Sequence, residues 1–567
     1  MSGTKTMGIS ALKSQFVTEH CELIHTLFDK NGDYIAPQYR LDVRERFHHC
    51  YSLMESNDSA NIELANKIIA KTPASDNCLG LATAAMDLLM VYKDNLTPEN
   101  VDHLKNLIRA HWLNLFEFRH GSPGTNNFST ILVYSLLAAG EILDSYDFPH
   151  EFALIPEVYS QERLRVIGRN SLQSLVYASQ HQKIFDEWNC PGYTASSLSA
   201  MARIVELIPD KRIKKMALKI ETKLWKETLS MFHPELGLLC GPYGRAYRHD
   251  ILGHYTPMAG VMAYLGLSRY NTIVGWFEEY RKDPKAYFEL NRYPYMWSNL
   301  AYQIFTPFHL PEKELEEFKN RVYPKEFKAP FRWDPFGKLK PETNEILSVQ
   351  GDYFPGGKSK FTQLQEKNYA LGFRKLTPRK EQSFPWHFHY ALKPEVKSFC
   401  DVRNVTGGVM FSGKPIEWTV DANNQQTEYN NFNHHGIVKV IRRDDGLDFS
   451  GHVNSDLKDL STEEVSVNTF IPIHFSTPEK ITLNKKVYSG KDISIKDTKG
   501  VCHIEDNGFI YEIIYEFNEK CEIKLFKWAN FIRFAAFFYK GKSKKLKPKE
   551  LDKINFKGSF KIKKVNK

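Results

Sequence analysis

The hydrophobic period of this chain changes once, and that change limits what it can fold into. As far as about residue 305, apolar residues recur every three to four positions; from about residue 408 onward they recur at every second position. The first pattern buries one stripe of a helix and the second one face of a strand, so the two halves need two different cores. In residues 127–144, Phe128, Ile131, Leu132, Leu136, Ala139, Ile142 and Leu143 fall on one broad face, which predicts a core-facing helix. Similar runs lie near 12–29, 37–54, 78–93, 98–117, 159–178, 194–208, 211–231, 257–267 and 296–306. Their connectors are short and carry Gly, Pro, Asn or Asp. Roughly ten or more antiparallel helices joined in this way fit an α/α toroid or a helical solenoid, and the lack of a fixed repeat favours the toroid.

Prolines at 307, 311, 324, 330, 335, 341 and 355 then stand among charged residues, and the helical period stops. Beyond them, Gly408–Phe411, Ile437–Ile441, Val465–Phe475, Phe509–Phe517 and Phe531–Tyr539 are short segments with β-branched or aromatic residues, separated by Asn, Asp, Gly and Lys turns. At 567 residues the chain exceeds what one core usually supports. The expected organisation is a multidomain α and β chain. An N-terminal incomplete (α/α) toroid covers 1–310, a Pro-rich linker 311–345, and an antiparallel β-sandwich domain of roughly 10 to 16 strands 346–567, with a Lys-rich C-terminal end.

The net charge of +9 is local. Lys540–Lys567 holds twelve lysines against Glu550 and Asp552, so the remainder is close to neutral and carries no broad basic face for nucleic acid. A lysine-rich end of this kind is expected as a solvated edge strand or tail. The eight cysteines, at 21, 50, 78, 190, 240, 400, 502 and 521, show no paired spacing, which fits a reduced chain better than a disulfide framework or zinc ribbon. No apolar export segment and no run long enough to span a bilayer is visible, so a cytoplasmic location without membrane association is expected. The sequence leaves the oligomeric state open.

Three segments of the helical half place polar residues where helices begin. His120–Thr130 contains Asn126 and Asn127, of which one is accounted for as an N-cap. Phe185–Ser196 groups Asp186, Glu187, Trp188, Asn189 and Tyr193 around a Pro–Gly break. Cys240–Asp250, reading CGPYGRAYRHD, packs Tyr243, Arg245, Tyr247, His249 and Asp250 into a turn that Gly241, Pro242 and Gly244 keep from being helical. The bland account of this turn is an Arg–Asp pair with tyrosines packed on a neighbouring helix. In the β half, Trp386–Tyr390 sets His387 and His389 two apart, on one side of a strand, and Tyr429–Gly436 holds His434 and His435. Such pairs serve as hydrogen-bonded histidines or substrate contacts; a divalent metal, structural or catalytic, would need three or four ligands.

A helical first half, a Pro-rich joint and an all-β second half, with TNNFST, EWNCPGY, GPYGRAYRHD, WHFHY and NNFNHHG along them, resemble the α/α-toroid polysaccharide lyases that carry a β-sandwich, the group of heparinase II/III-like and alginate lyases. Those families place His after the first-site Asn, whereas Phe128 follows Asn127 here, so no histidine base is implied at that position. The resemblance implies an acidic polysaccharide or oligosaccharide as partner, no cofactor, and β-elimination at a uronate. That reaction needs a group to neutralise the carboxylate, a base for the α-proton and an acid for the leaving oxygen. Asn127 and Arg245 suit the carboxylate, Tyr193 or Tyr247 the proton transfers, and His387, His389, His434 or His435 an alternative base. With His389 as the base of that set, Asn126, Glu187, Trp188, Asn189, Tyr243, His249, Asp250, His387, His434 and His435 are left as substrate contacts. Two rival readings use the same residues: an α/α-barrel glycoside hydrolase acting through Glu187 or Asp186 with Asp250, and a non-catalytic carbohydrate-binding protein.

Overall fold

The computed structural model describes residues 9–36, 41, 43–73, 79–121, 126–144, 161–181, 189–244, 256–268, 281, 295–331, 338–339, 346–347, 359–377, 384–396, 401–412, 437–452, 464–473, 476–528, 531–540 and 555–565. The helices are α1 (Ile9–Leu27), α2 (Val43–Glu55), α3 (Ser59–Lys71), α4 (Leu79–Val91), α5 (Pro98–Gly121), α6 (Asn126–Ile142), α7 (Gln161–His181), α8 (Thr194–Leu207), α9 (Lys211–Met231), α10 (Pro257–Tyr264), α11 (Tyr295–Ile304) and α12 (Glu312–Lys319). The periodicity anticipates all but α3 and α12. Asp58 and Asp210 start α3 and α9 by accepting from the free amides of the first turn.

The helices form two concentric layers. Helix α2 packs on α4, α4 on α6, α6 on α8, α8 on α10, α10 on α11, and α11 back on α2, which closes an inner ring. Outside it, α3, α5, α7 and α9 lie against α2, α4, α6 and α8 in turn, and short connections join α2 to α3, α4 to α5 and α8 to α9. This is the α/α toroid. Inner helices are covered all round, which explains the apolar LGLATAAMDLLMV of α4 and its one charged residue, Asp87.

Asp87 marks a polar centre shared by the ring. Arg203 of α8 pairs with it at 2.9 Å, Tyr51 of α2 donates to it at 3.2 Å, and Tyr134 of α6 donates to its other oxygen. The Arg203 guanidinium also stacks 4.0 Å from the Tyr302 ring of α11 and donates to the Tyr302 carbonyl. Burial works against the Arg203 charge, but Asp87 and the surrounding phenols outweigh it and push its pKa up. Five inner helices are thereby tied to one ion pair.

The β half is built from β3 (Lys325–Phe331), β6 (Ser359–Glu366), β7 (Tyr369–Arg374), β8 (Leu376–Thr377), β9 (Trp386–Ala391), β10 (Val402–Ser412), β11 (Ile437–Arg443), β12 (Gly446–His452), β13 (Glu464–Pro472), β14 (Lys480–Leu483), β15 (Lys486–Val487), β16 (Ile493–Asp506), β17 (Phe509–Trp528), β18 (Phe531–Lys540) and β19 (Asn555–Lys564). Two ribbons lie apart from it: β1 (Phe232–His233) with β2 (Leu238–Leu239), and β4 (Lys338–Leu339) with β5 (Ile346–Leu347). Twelve of these fifteen strands run along one hydrogen-bonded path, β3-β6-β7-β9-β10-β13-β18-β17-β19-β12-β11-β8, and β14, β15 and β16 lie off it. Strand β17 turns this path into two layers. Its first half pairs with β19 and its second half with β18, so it leaves one sheet and enters the other. Across the gap Trp386 stacks on Phe449, and Phe388 packs 4.9 Å from Phe560, contacts between strands remote in hydrogen-bonding order. The result is an antiparallel β-sandwich with an aromatic core.

Two sequence expectations meet a different arrangement. Within the segment expected as a linker, α12 packs on α9, with Lys226 and Glu314 paired at 2.7 Å, and β3 begins the sheet. The lysine-rich end, expected as an edge or tail, supplies β19, an interior strand between β17 and β12. Alternation explains this: Phe556 and Phe560 face the core while Lys557, Lys561 and Lys563 face away from it.

One buried ion pair fastens the sandwich. Arg403 Nε donates to Asp506 at 2.7 Å, Tyr390 donates to the same oxygen at 2.6 Å, and the remaining Arg403 nitrogens bind the Pro472 and Ser476 carbonyls and the Ser476 hydroxyl. Strands β9 and β10 are thus bound to the β16–β17 turn. Asp506→Ala leaves Arg403 buried without its counter-charge and should lower the unfolding free energy by about 3–5 kcal/mol, read as a fall in the urea midpoint.

Candidate functional site

The segment Cys240–Gly244 lies at the joint of the two halves and belongs to no helix or strand. All five of its carbonyls nevertheless accept hydrogen bonds from side chains. Asn189 Nδ2 donates to Cys240 at 2.7 Å and to Pro242 at 3.0 Å. Gln363 Nε2, from β6, donates to Cys240 and, at 2.9 Å, to Gly241. Arg374 Nη2, from β7, donates to Tyr243 and reaches Gly244 at 3.5 Å. The Gly241 amide donates to His389 Nε2 of β9 at 2.8 Å, which puts the His389 proton on Nδ1. Buried peptide groups need such partners, and here strands of the sandwich supply most of them to a loop of the toroid.

Packing around the loop leaves no room. A Cβ on Gly372 would fall 1.7 Å from the Gly241 oxygen, and one on Gly241 would fall 2.4 Å from the His387 ring. The Tyr243 ring meets His387 edge to face at 4.7 Å, and its hydroxyl donates to the Leu239 carbonyl at 3.0 Å. Asn189 adopts a left-handed φ of 51°, and its Oδ1 has no partner among the described residues. Gly372→Ala should therefore force β7 and the loop apart, costing about 1–3 kcal/mol or more by thermal unfolding.

His387 and His389 share one side of β9 as the sequence spacing requires, with rings 6.0 Å apart. Both are fully buried. Neither His387 nitrogen has a well-formed hydrogen bond among the described residues; burial, and then the Arg374 charge, push its pKa down to about 3 against a weak pull from the Phe384 carbonyl. Among the described residues, no cluster of three His, Cys, Asp or Glu side chains is arranged to hold a metal. The Arg374 charge beside His387 would repel a bound cation.

A second group of neutral histidines lies in the toroid. His20 bridges Ser52 and His49 at 2.7 and 2.9 Å, and His48 stacks 4.8 Å from Tyr302. Burial, with smaller help from neighbouring positive charge, lowers His20 and His48 well below the usual range, and burial alone brings His49 to about 3. An unfolded histidine takes up its proton near pH 6.5, whereas these four remain neutral while folded. Stability should consequently fall as pH drops below about 6.5, by about 1.4 kcal/mol per pH unit for each such histidine. Denaturant titrations at neutral and mildly acidic pH should show this slope, and His387→Gln should lessen it.

The structure brings Asn189, Tyr243, His387 and His389 together at the joint, with Tyr193 four residues beyond Asn189. Tyr193 is half-buried and opens α8, its carbonyl accepting from Ser197 at 3.0 Å. Asn126 and Asn127 open α6 through their backbones, while their side chains lie outside the described residues. Asp186, Glu187, Trp188, Arg245, Tyr247, His249, Asp250, His434 and His435 also lie outside them. The sequence reading missed Gln363 and Arg374. A signal was present in SKFTQLQE, where Gln363 and Gln365 recur at period two and both turn out fully buried.

Comparisons with known proteins extend over most of the chain at low identity. Residues 157–277 match a family described as Domain of unknown function (DUF8769), which covers less than half of the chain. No curated protein matches. Among solved structures the chain is similar to heparinase III, at 10% identity and a TM-score of 0.39 over 99% of this chain and 86% of that one. It is also similar to the Streptomyces coelicolor A3 chondroitin AC lyase, at 9% identity and 0.31 over 97% and 96%. A third likeness is to heparan sulfate lyase HepC from Pedobacter heparinus, at 10% identity and 0.30 over 100% and 85%.

Proposed function

We propose that this chain is a polysaccharide lyase that cleaves a uronic-acid-containing polymer by β-elimination. The observation that carries the reading is the clamped loop at the joint. Cys240–Gly244 is fixed at each of its carbonyls, and the next residues along the chain are Arg245, Tyr247, His249 and Asp250. A backbone held from both halves is suited to presenting side chains whose reach must be accurate to a fraction of an ångström.

In this reading Asn127 and Arg245 neutralise the substrate carboxylate, which lowers the cost of removing the neighbouring proton. Tyr247, with Tyr193 as the second phenol, takes that proton and returns one to the departing oxygen; the Arg245 cation makes the phenolate easier to form. His389 was one of the four histidines the sequence offered as an alternative base. With its Nε2 accepting from the Gly241 amide and its ring fully buried, it serves here as an anchor of the loop. His387, Tyr243 and Asn189 complete that anchorage and contact substrate only through what they hold in place.

Incubation with uronic-acid polymers should generate an unsaturated uronate, followed by its near-ultraviolet absorbance. Tyr247→Phe should lower kcat by about 10²–10⁴-fold with binding retained. New reducing ends without that absorbance would instead indicate hydrolysis, with Glu187→Gln then the disabling change.

A further inference from the structure

The outer face of the second sandwich layer carries a groove of about 640 Å³, within the usual size range of a ligand site. Strand register explains its lining. Lys439 of β11 stands opposite Ser450 of β12, Ser450 opposite Lys557 of β19, Lys557 opposite Glu516 of β17, and Glu516 opposite Lys499 of β16. These residues form one row across five strands. They alternate along their strands with Val438, Phe449, Phe556 and Phe517, which are buried in the sandwich core, so the row faces outward. The layer that holds the Cys240–Gly244 loop is the other one, through β6, β7 and β9. The groove is thus separate from the joint.

The charges in the row are not balanced. Lys499 pairs with Glu516 at 2.6 Å and neutralises the single acid of the groove. Lys480, Lys524 and Lys563 on nearby strands are likewise paired, with Glu505, Glu522 and Glu512. Lys439 and Lys557 are exposed and enter no ion pair among the described residues. They flank Ser450 at two strand spacings, about 9.5 Å. Gly451 adds no side chain to the floor, and Asn518 and Asn555 offer amides at the end of the groove.

We propose that this groove docks a segment of an acidic oligosaccharide, with Lys439 and Lys557 each meeting a carboxylate or sulfate and Ser450, Asn518 and Asn555 meeting hydroxyl groups between them. The chemistry favours sugar over nucleic acid. Single strands bind on exposed aromatic rings, whereas the aromatic residues lining the groove, Phe517 and Phe556, are buried. The assignment shares the acidic-polysaccharide reading above but depends on none of its catalytic residues. Its consequence is a second hold on a long polymer, remote from the joint.

Affinity electrophoresis of the full chain through gels containing alginate, polygalacturonate or heparin tests this. The double variant K439Q/K557Q should bind the retarding polymer about tenfold more weakly, with thermal unfolding unchanged. K480Q/K563Q makes the same change in net charge on paired lysines and should bind as the parent does. Equal weakening by the two double variants, or retardation by none of the polymers, would overturn the proposal. So would a single-stranded oligonucleotide that competes for the groove as strongly as the polymer. Retardation that depends on Lys439 and Lys557 without any unsaturated product would remove the lyase assignment and leave the groove standing. Agreement between carboxylate-only and sulfated polymers identifies general anion docking, and a preference for one names the charged group.

Discussion

The structure depends on the peptide groups of Cys240–Gly244 being satisfied from outside their own segment. A buried carbonyl without a donor costs about 1–3 kcal/mol, and five in succession would be ruinous for any loop. Asn189 answers two of them from the toroid side; Gln363 and Arg374 answer the rest from the sandwich, and His389 receives the one amide. Neither half can complete this loop alone. The two halves therefore meet through hydrogen bonds with defined direction as well as through apolar contact, and that fixes their relative placement at the point where chemistry is proposed.

Each half is also organised around a buried arginine. Arg203 with Asp87 joins the inner helices, and Arg403 with Asp506 joins the first sandwich layer to the β16–β17 turn. Phenols supply the remaining donors in both cases, Tyr51 and Tyr134 in one and Tyr390 in the other. An ion pair of this kind adds little to stability over a well-packed apolar substitute. What it does is penalise every arrangement in which the partners fail to meet. In a ring of similar amphipathic helices, where several neighbours could exchange places, that penalty selects the observed order.

The architecture was legible because periodicity reports which faces are buried. Helices α5, α8 and α9 begin where their apolar patterns begin, and the period-two segments became β11, β13, β17 and β18. Helix α12 was missed because proline and charge dominate Pro307–Pro324, although Phe318 still buries against α9's neighbourhood. The site was legible only in outline. WHFHY correctly placed two histidines on one side of a strand, but alternation says nothing of what a ring nitrogen touches, and His389 meets a backbone amide 148 positions earlier in the chain. Gln363 and Arg374 sit in strands whose sequence looks ordinary; their role comes from a partner more than a hundred residues away. Lone polar residues in apolar runs, such as Asp87 in α4, were the stronger hint and point to centres that hold the fold together.

The position of β19 has a consequence for how the protein is made. The helical ring closes with α11, at residue 304, although its apolar cluster goes on to take in Phe318, Phe361, Phe384, Phe470 and Phe531 from later in the chain. The second sandwich layer waits longer still: β12 and β17 are joined through residues 555–564, which lie between them and pair with both. Until those residues leave the ribosome, the edges of β12 and β17 stand open, and their aromatic inner faces lack Phe556 and Phe560. Between the appearance of β17 and that of β19 a chain growing from its N-terminus thus carries a half-sandwich with open edges, and that interval is when it is most exposed to pairing with the wrong strand.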